Sequence, residues 1–151
     1  IMKKFTSILA FTILALAIIS CKKDDTVAQI PAVAANGNFT WTTNGTTTVN
    51  TADSAFYRSQ FKTIFAYKNI SGVMKLQYEI NLTAGTPATY TIGSGNAIAY
   101  TANTPFFIPT AGNVIITANT GTKVTGTFTG TGTLTAGTSS VAGTFTDIPV
   151  Q

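Results

Sequence analysis

Val73-Met74-Lys75-Leu76-Gln77-Tyr78-Glu79-Ile80-Asn81-Leu82 alternates apolar and polar residues without a break. Successive side chains on a strand point to opposite faces. Met74, Leu76, Tyr78, Ile80 and Leu82 are therefore predicted on one face, and Lys75, Gln77, Glu79 and Asn81 on the other. That is a half-buried β-strand, because no helical apolar period fits the same residues. Upstream, Asn69-Ile70-Ser71-Gly72 supplies turn chemistry and Thr63–Lys68 is strand-like, so the pair reads as a hairpin.

The same grammar holds on either side. Asn38–Thr43 alternates Phe39 and Trp41 with polar residues, and Asn44-Gly45 follows, two residues that tolerate positive φ. Thr46–Ala55 is read as the returning strand, and Phe56–Lys62 as a loop or helical turn. Thr89–Ile92 and Ala97–Thr101 are short strands around Gly93-Ser94-Gly95-Asn96. Phe106-Phe107 lies between Pro105 and Pro109, which cannot donate to a ladder, so the segment is an edge or a loop. Val114–Ala118, Lys123–Leu134 and Val141–Val150 complete the set. Val124-Thr-Gly-Thr-Phe-Thr-Gly130 nearly repeats as Val141-Ala-Gly-Thr-Phe-Thr-Asp147, as two strands of one sheet would if each sent its Phe (Phe128, Phe145) inward. The predicted fold is all-β, an antiparallel β-sandwich or barrel of about eight to ten short strands.

The N-terminus is of another kind. Lys3-Lys4, an apolar run from Phe5 to Ile19, and Ser20-Cys21 form the pattern of a secretory signal. The run is shorter than the ~20 residues that cross a bilayer core. Ile18-Ile19-Ser20-Cys21 resembles the lipobox of bacterial lipoproteins, which implies that Cys21 is lipidated and becomes the first residue of the mature chain, with Met2 the start. Residues 1–20 are then the signal peptide, 21–37 the lipidated Cys and a tether, and 38–151 a single β domain. Cys21-Lys22-Lys23-Asp24-Asp25 resembles the export signal of Bacteroidota lipoproteins, which implies the outer membrane and display at the cell surface. Phe39-Thr-Trp-Thr42, Gly112-Asn-Val-Ile-Ile-Thr117, Val124-Thr-Gly-Thr-Phe128 and Gly143-Thr-Phe-Thr-Asp-Ile-Pro-Val150 resemble small Bacteroidota lipoproteins with a domain of unknown function. That resemblance implies an envelope location and supplies no activity.

Composition argues against most catalysis. The chain has no His and one Cys, and the lipid takes that Cys. Ser-His-Asp and Cys-His arrangements, intramolecular disulfides and the usual zinc ligands are thereby removed. The domain's acids are Asp53, Glu79 and Asp147, too few and too scattered for a calcium loop. A two-carboxylate glycosidase would need Asp53 to converge with Glu79 or Asp147 in one cleft. Against these acids stand Arg58, Lys62, Lys68, Lys75 and Lys123, a weak and dispersed positive balance that makes no nucleic-acid footprint. No cofactor or metal is expected. The expected partners are the membrane, through the lipid, and a glycan or envelope protein.

Three surface features remain. Asp53-Ser54-Ala55 and Asp25-Thr26-Val27 resemble the Bacteroidota O-glycosylation acceptor, making Ser54 and Thr26 candidates for modification. Phe106, Phe107 and Trp41 are the candidate contact aromatics. Thr125, Thr127, Thr129, Thr131, Thr133 and Thr135 share one strand face, opposite Gly126, Phe128, Gly130, Gly132 and Leu134. A threonine ladder of this kind suits ice or crystalline polysaccharide only when many rows stack, so it reads as an ordinary solvated face. The leading expectation is a surface-anchored, non-catalytic binding module. The alternative is a hollow barrel carrying an apolar small molecule in a cavity lined by Leu76, Tyr78, Phe128 and Phe145.

Overall fold

The computed structural model describes residues 38–101, 106–134 and 137–151. The expected signal peptide, Cys21, Thr26 and the tether lie outside the described residues, as does Thr135. The strands are β1 (Asn38–Thr43), β2 (Asn50–Thr51), β3 (Ser54–Arg58), β4 (Thr63–Ile70), β5 (Val73–Asn81), β6 (Ala88–Thr91), β7 (Ala97–Tyr100), β8 (Ala111–Asn119), β9 (Lys123–Leu134) and β10 (Gly137–Pro149). They form two antiparallel sheets: six strands in the order β2-β1-β10-β9-β8-β6, and four in the order β3-β4-β5-β7. The sheets do not close into a barrel; the fold is a β-sandwich.

The inner faces are packed full. Phe39, Trp41, Phe128 and Phe145 from the six-stranded sheet meet Ile64, Tyr78, Ile80 and Ile98 from the other. Phe39 stands 5.2 Å from Phe128 and 5.4 Å from Tyr78, and Tyr78 stands 5.1 Å from Phe128, centroid to centroid. A hollow interior lined by Tyr78, Phe128 and Phe145 is therefore not what these residues build. They fill one another's space, and aromatic pairs at such distances add to the area they bury.

Several expectations are corrected by the pairing. Thr46–Ala55 is not one returning strand. Asn44 and Gly45 do take positive φ (52° and 65°), but only Asn50–Thr51 pairs back onto β1. Ser54–Arg58, read partly as a loop, is a strand of the other sheet. The two short strands around Gly93–Asn96 belong to different sheets: β6 pairs with β8 and β7 with β5. β10 runs to 13 residues and begins at Gly137, ahead of the Val141–Val150 expected.

The alternation of β5 is also interrupted. Ala66 pairs with Tyr78 but Tyr67 pairs with Leu76, so Gln77 is an extra residue in a bulge. Past the bulge the faces exchange. Leu76 lies beside Tyr67 and Met74 beside Asn69, on the outer side with Glu79, while Tyr78, Ile80 and Leu82 face the core. Thr101 satisfies the displaced carbonyls: its backbone N–H donates to the Gln77 oxygen at 2.9 Å and its hydroxyl to the Leu76 oxygen.

Candidate binding face

The outer face of the six-stranded sheet is built by register between strands far apart in sequence. β1 pairs with β10, β10 with β9, β9 with β8 and β8 with β6. One continuous cross-strand row is Thr51, Thr40, Thr144, Thr127, Ile115 and Thr89, from edge to edge. The next is Thr42, Ala142, Thr129, Asn113 and Thr91. The ladder on β9 is thus one column of a grid. Residues along a column repeat at about 6.8 Å and neighbouring columns at about 4.8 Å. The Thr40 and Thr144 hydroxyls hydrogen-bond each other at 3.0 Å across β1 and β10.

The β9 glycines let this face be backed by a tight core. On the inner side, a Cβ on Gly126 would press on the Phe145 ring, one on Gly130 would stand 2.5 Å from the Pro109 ring, and one on Gly132 would lie 3.2 Å from Phe107. Close approach explains residues that otherwise fill a core poorly.

Charge is segregated between the two sheets. Among the described residues, the strands of the six-stranded sheet carry Lys123 and Asp147, which pair at 3.7 Å near one end. Asp53, Arg58, Lys62, Lys68, Lys75 and Glu79 all belong to the four-stranded sheet and its loops. That sheet's outer face is aromatic and charged: Phe56 lies 5.6 Å from Phe65 and 5.9 Å from Tyr67, with the Arg58 guanidinium 5.9 Å from the Phe56 centroid.

Within the threonine grid, β10 carries one short side chain, Ala142, next to Thr144. Ala142 sits between Thr42 and Thr129, and the hollow above it, about 320 Å3, is flanked by β1 and β9 and edged by Val49, which is 62% exposed. A second, smaller pocket of about 160 Å3 opens at one end of the sandwich between Tyr100, Phe107, Leu134 and Val141. It is below the usual ligand-pocket range of about 300–1,000 Å3.

The residues singled out in the sequence meet different fates. Trp41 is 2% exposed, its ring edge-on to Tyr78 at 5.3 Å and its other side under the Lys68 ammonium at 5.7 Å, so it is core and offers no contact surface. Phe107 is buried against Tyr100 and Gly132, which leaves Phe106, 52% exposed, as the contact candidate of that pair. Ile108, exposed beyond it, was not anticipated. Ser54 is 8% exposed within β3, paired with Tyr67, and is poorly placed as an acceptor for modification on the folded domain.

The three acids do not converge. Asp53 accepts the Asn69 backbone N–H at 2.7 Å, Glu79 accepts the Asn81 side-chain amide at 3.0 Å, and Asp147 lies on the other sheet. Glu79 pairs with Phe65, four residues along β4 from Asn69, a separation of roughly 13 Å. Glycosidase carboxyl pairs stand about 5–9.5 Å apart.

Comparison with protein-family models, with curated proteins and with solved structures finds no match for the chain. The functional reading therefore rests on the face itself.

Proposed function

We propose that this chain is a lipid-anchored lipoprotein of the outer membrane, displayed at the cell surface, whose β-sandwich is a non-catalytic binding module. The contact surface is the outer face of the six-stranded sheet. One observation carries the reading: register brings Thr51, Thr40, Thr144, Thr127 and Thr89 into one row and Thr42, Thr129 and Thr91 into the next, and among the described residues charge meets these rows only at the edge, where the Lys68 ammonium donates to the Thr51 carbonyl. A face of this size made of uncharged hydroxyls and methyls suits a neutral partner.

The anchor reading is supported by the Lys3-Lys4 and Phe5–Ile19 signal pattern, by Ser20-Cys21 and by Lys22-Lys23-Asp24-Asp25. Two acyl chains or more hold a protein stably on a bilayer where one does not. The non-catalytic reading is supported by the absence of His from the chain and by the separate local engagements of Asp53, Glu79 and Asp147.

The test is made on intact cells expressing the full chain. Cys21→Ser is expected to move the protein out of the membrane fraction. Replacing residues 22–25 by alanine is expected to protect it from protease added outside. A wild-type protein that resists external protease while remaining in the outer membrane would overturn surface display. Thr127→Lys and Thr129→Lys, which put charge on the face, are expected to abolish binding to the module's partner; unchanged binding would move the contact surface elsewhere.

A further inference from the structure

The furrow along β10 narrows the class of partner, on the reading that the threonine face is the contact surface. Its floor is Ala142 and Thr144 on β10, and its rims are Thr40 and Thr42 on β1 and Thr127 and Thr129 on β9. Val49 stands above one rim as an exposed apolar wall. We propose that this furrow binds a single extended chain of a neutral polysaccharide, with ring C–H faces against Ala142 and Val49 and ring hydroxyls hydrogen-bonded to the rim threonines.

Charge sets the first limit. An anionic glycan, a nucleic acid or a phosphorylated headgroup is held by Arg and Lys. On the strands of this sheet the cation among the described residues is Lys123, which lies at the strand's end and is paired to Asp147 at 3.7 Å, and Lys68 of β4 reaches only the edge, where it donates to the Thr51 carbonyl at 2.8 Å. Side-chain chemistry sets the second. Threonine carries a methyl and a hydroxyl on one Cβ and is stiff at χ1, so the two groups are held out with little left to order on binding. A sugar ring likewise presents C–H and O–H groups side by side. A hydroxyl has one donor and two acceptor sites, so the Thr40–Thr144 pair, bonded to each other at 3.0 Å, keeps capacity for a ligand.

Shape sets the third. A flat lattice such as ice needs an unbroken array, and here Ala142 interrupts the threonine rows and the exposed Val49 lines the hollow beside it. The rim hydroxyls repeat along the strands at about 6.8 Å. A long chain meets that repeat several times where a monosaccharide meets it once.

The experiment uses the mature lipoprotein in detergent micelles, run in native gels cast with soluble neutral polysaccharides (hydroxyethyl cellulose, amylose, dextran) or with anionic ones (polygalacturonate, heparin). At least one neutral polymer is expected to retard the protein, with retardation unchanged by salt. Ala142→Trp fills the furrow from an outward strand position that accepts an aromatic residue, and is expected to weaken that binding at least tenfold. Val49→Ala, outside the strands, is expected to weaken it several-fold, and Glu79→Gln on the other sheet to leave it unchanged. Retardation by anionic polymers alone, lost on adding salt, overturns the proposal, as does wild-type binding by both Ala142→Trp and Val49→Ala. Thr129→Cys carrying a photo-cross-linker separates the remaining failures on living cells. No polysaccharide binding with a cross-linked protein partner overturns the polysaccharide and keeps the face. No binding and no cross-link overturns both.

Discussion

Gly143 lies directly opposite Phe128 in the β9–β10 ladder, and the Phe128 ring occupies the space a side chain on Gly143 would need, 2.5 Å from where its Cβ would stand. The near-repeat makes the relationship reciprocal, since Gly126 lies opposite Phe145 and is filled by that ring. Each Gly-Thr-Phe therefore supplies a ring to the other copy's glycine. A methyl at position 143 would also press on the Thr40 carbonyl, which is backbone and cannot swing away. Gly143→Ala and Gly126→Ala are each expected to destabilise the domain by about 1–3 kcal/mol, the cost of overpacking a well-filled core. Denaturant midpoints measure this, and an unchanged midpoint for both would mean that the strands separate easily.

Tyr78 makes stability depend on alkaline pH. Its hydroxyl is buried without a hydrogen-bond partner among the described residues, and burial, with Tyr100 adding to it, raises its pKa well above the ordinary 10.0. Burial also raises Tyr57 and Tyr67. The unfolded chain releases these protons near pH 10 while the folded chain keeps them, so the folded state binds more protons there. Stability is then fully present below about pH 10 and falls as pH rises above it. Denaturant midpoints are expected to be level from about pH 8 to 9.5 and to drop by pH 11. Tyr78→Phe should remove the largest part of that drop. At neutral pH the same change should cost nothing or stabilise by up to about 1 kcal/mol, because an unpaired buried hydroxyl is itself unfavourable.

Local pattern carried much of the fold into view, and register hid the rest. β1 and β9 are legible to the residue, because Asn38–Thr43 and Lys123–Leu134 are bounded by Gly, Asn and Thr-rich turns. The Ser71-Gly72 hairpin is legible too, with φ of 55° and 82°. Sheet membership is not: a strand that alternates toward the core looks the same in either layer, so β3 and β7 gave no sign of leaving their sequence neighbours. Gln77 is polar at a polar position, so its bulge leaves no trace in the alternation of β5. The threonine face was legible only on β9, since its other columns depend on β1 pairing with β10, residues about a hundred positions apart. Trp41 was misread because an aromatic among threonines looks exposed until its face is known.

Asp147 tests the bulge in β10. It holds a φ of 54°, and two residues there, Thr146 and Asp147, stand between the Phe145–Gly126 and Ile148–Val124 pairs. Its backbone N–H donates to the Thr125 hydroxyl at 3.0 Å. Asp147→Gly relieves the left-handed backbone and loses an exposed ion pair worth about 0–1 kcal/mol, so stability should change by less than about 1 kcal/mol. Asp147→Val places a β-branched residue at positive φ and should cost about 1–3 kcal/mol. Equal thermal midpoints for the two variants would show that the bulge relaxes without strain.

Phe106 and Phe107 should behave as opposites despite being neighbours. Phe107 exchanges two backbone hydrogen bonds with Tyr100, at 2.9 and 3.0 Å, which turns its side chain inward over Gly132. Alternation then turns Phe106 and Ile108 outward, and both are exposed. Phe107→Ala empties a ring-sized space between β7 and β9 and should cost about 3–5 kcal/mol. Phe106→Ser removes a ring already in solvent and should change stability by less than about 0.5 kcal/mol. The same variant separates the two surfaces of the domain. Polysaccharide retardation that survives Phe106→Ser and fails in Ala142→Trp assigns binding to the threonine furrow. The reverse pattern would assign it to the Phe106–Ile108 end of the sandwich, where the smaller pocket beside Phe107 would become the site to pursue.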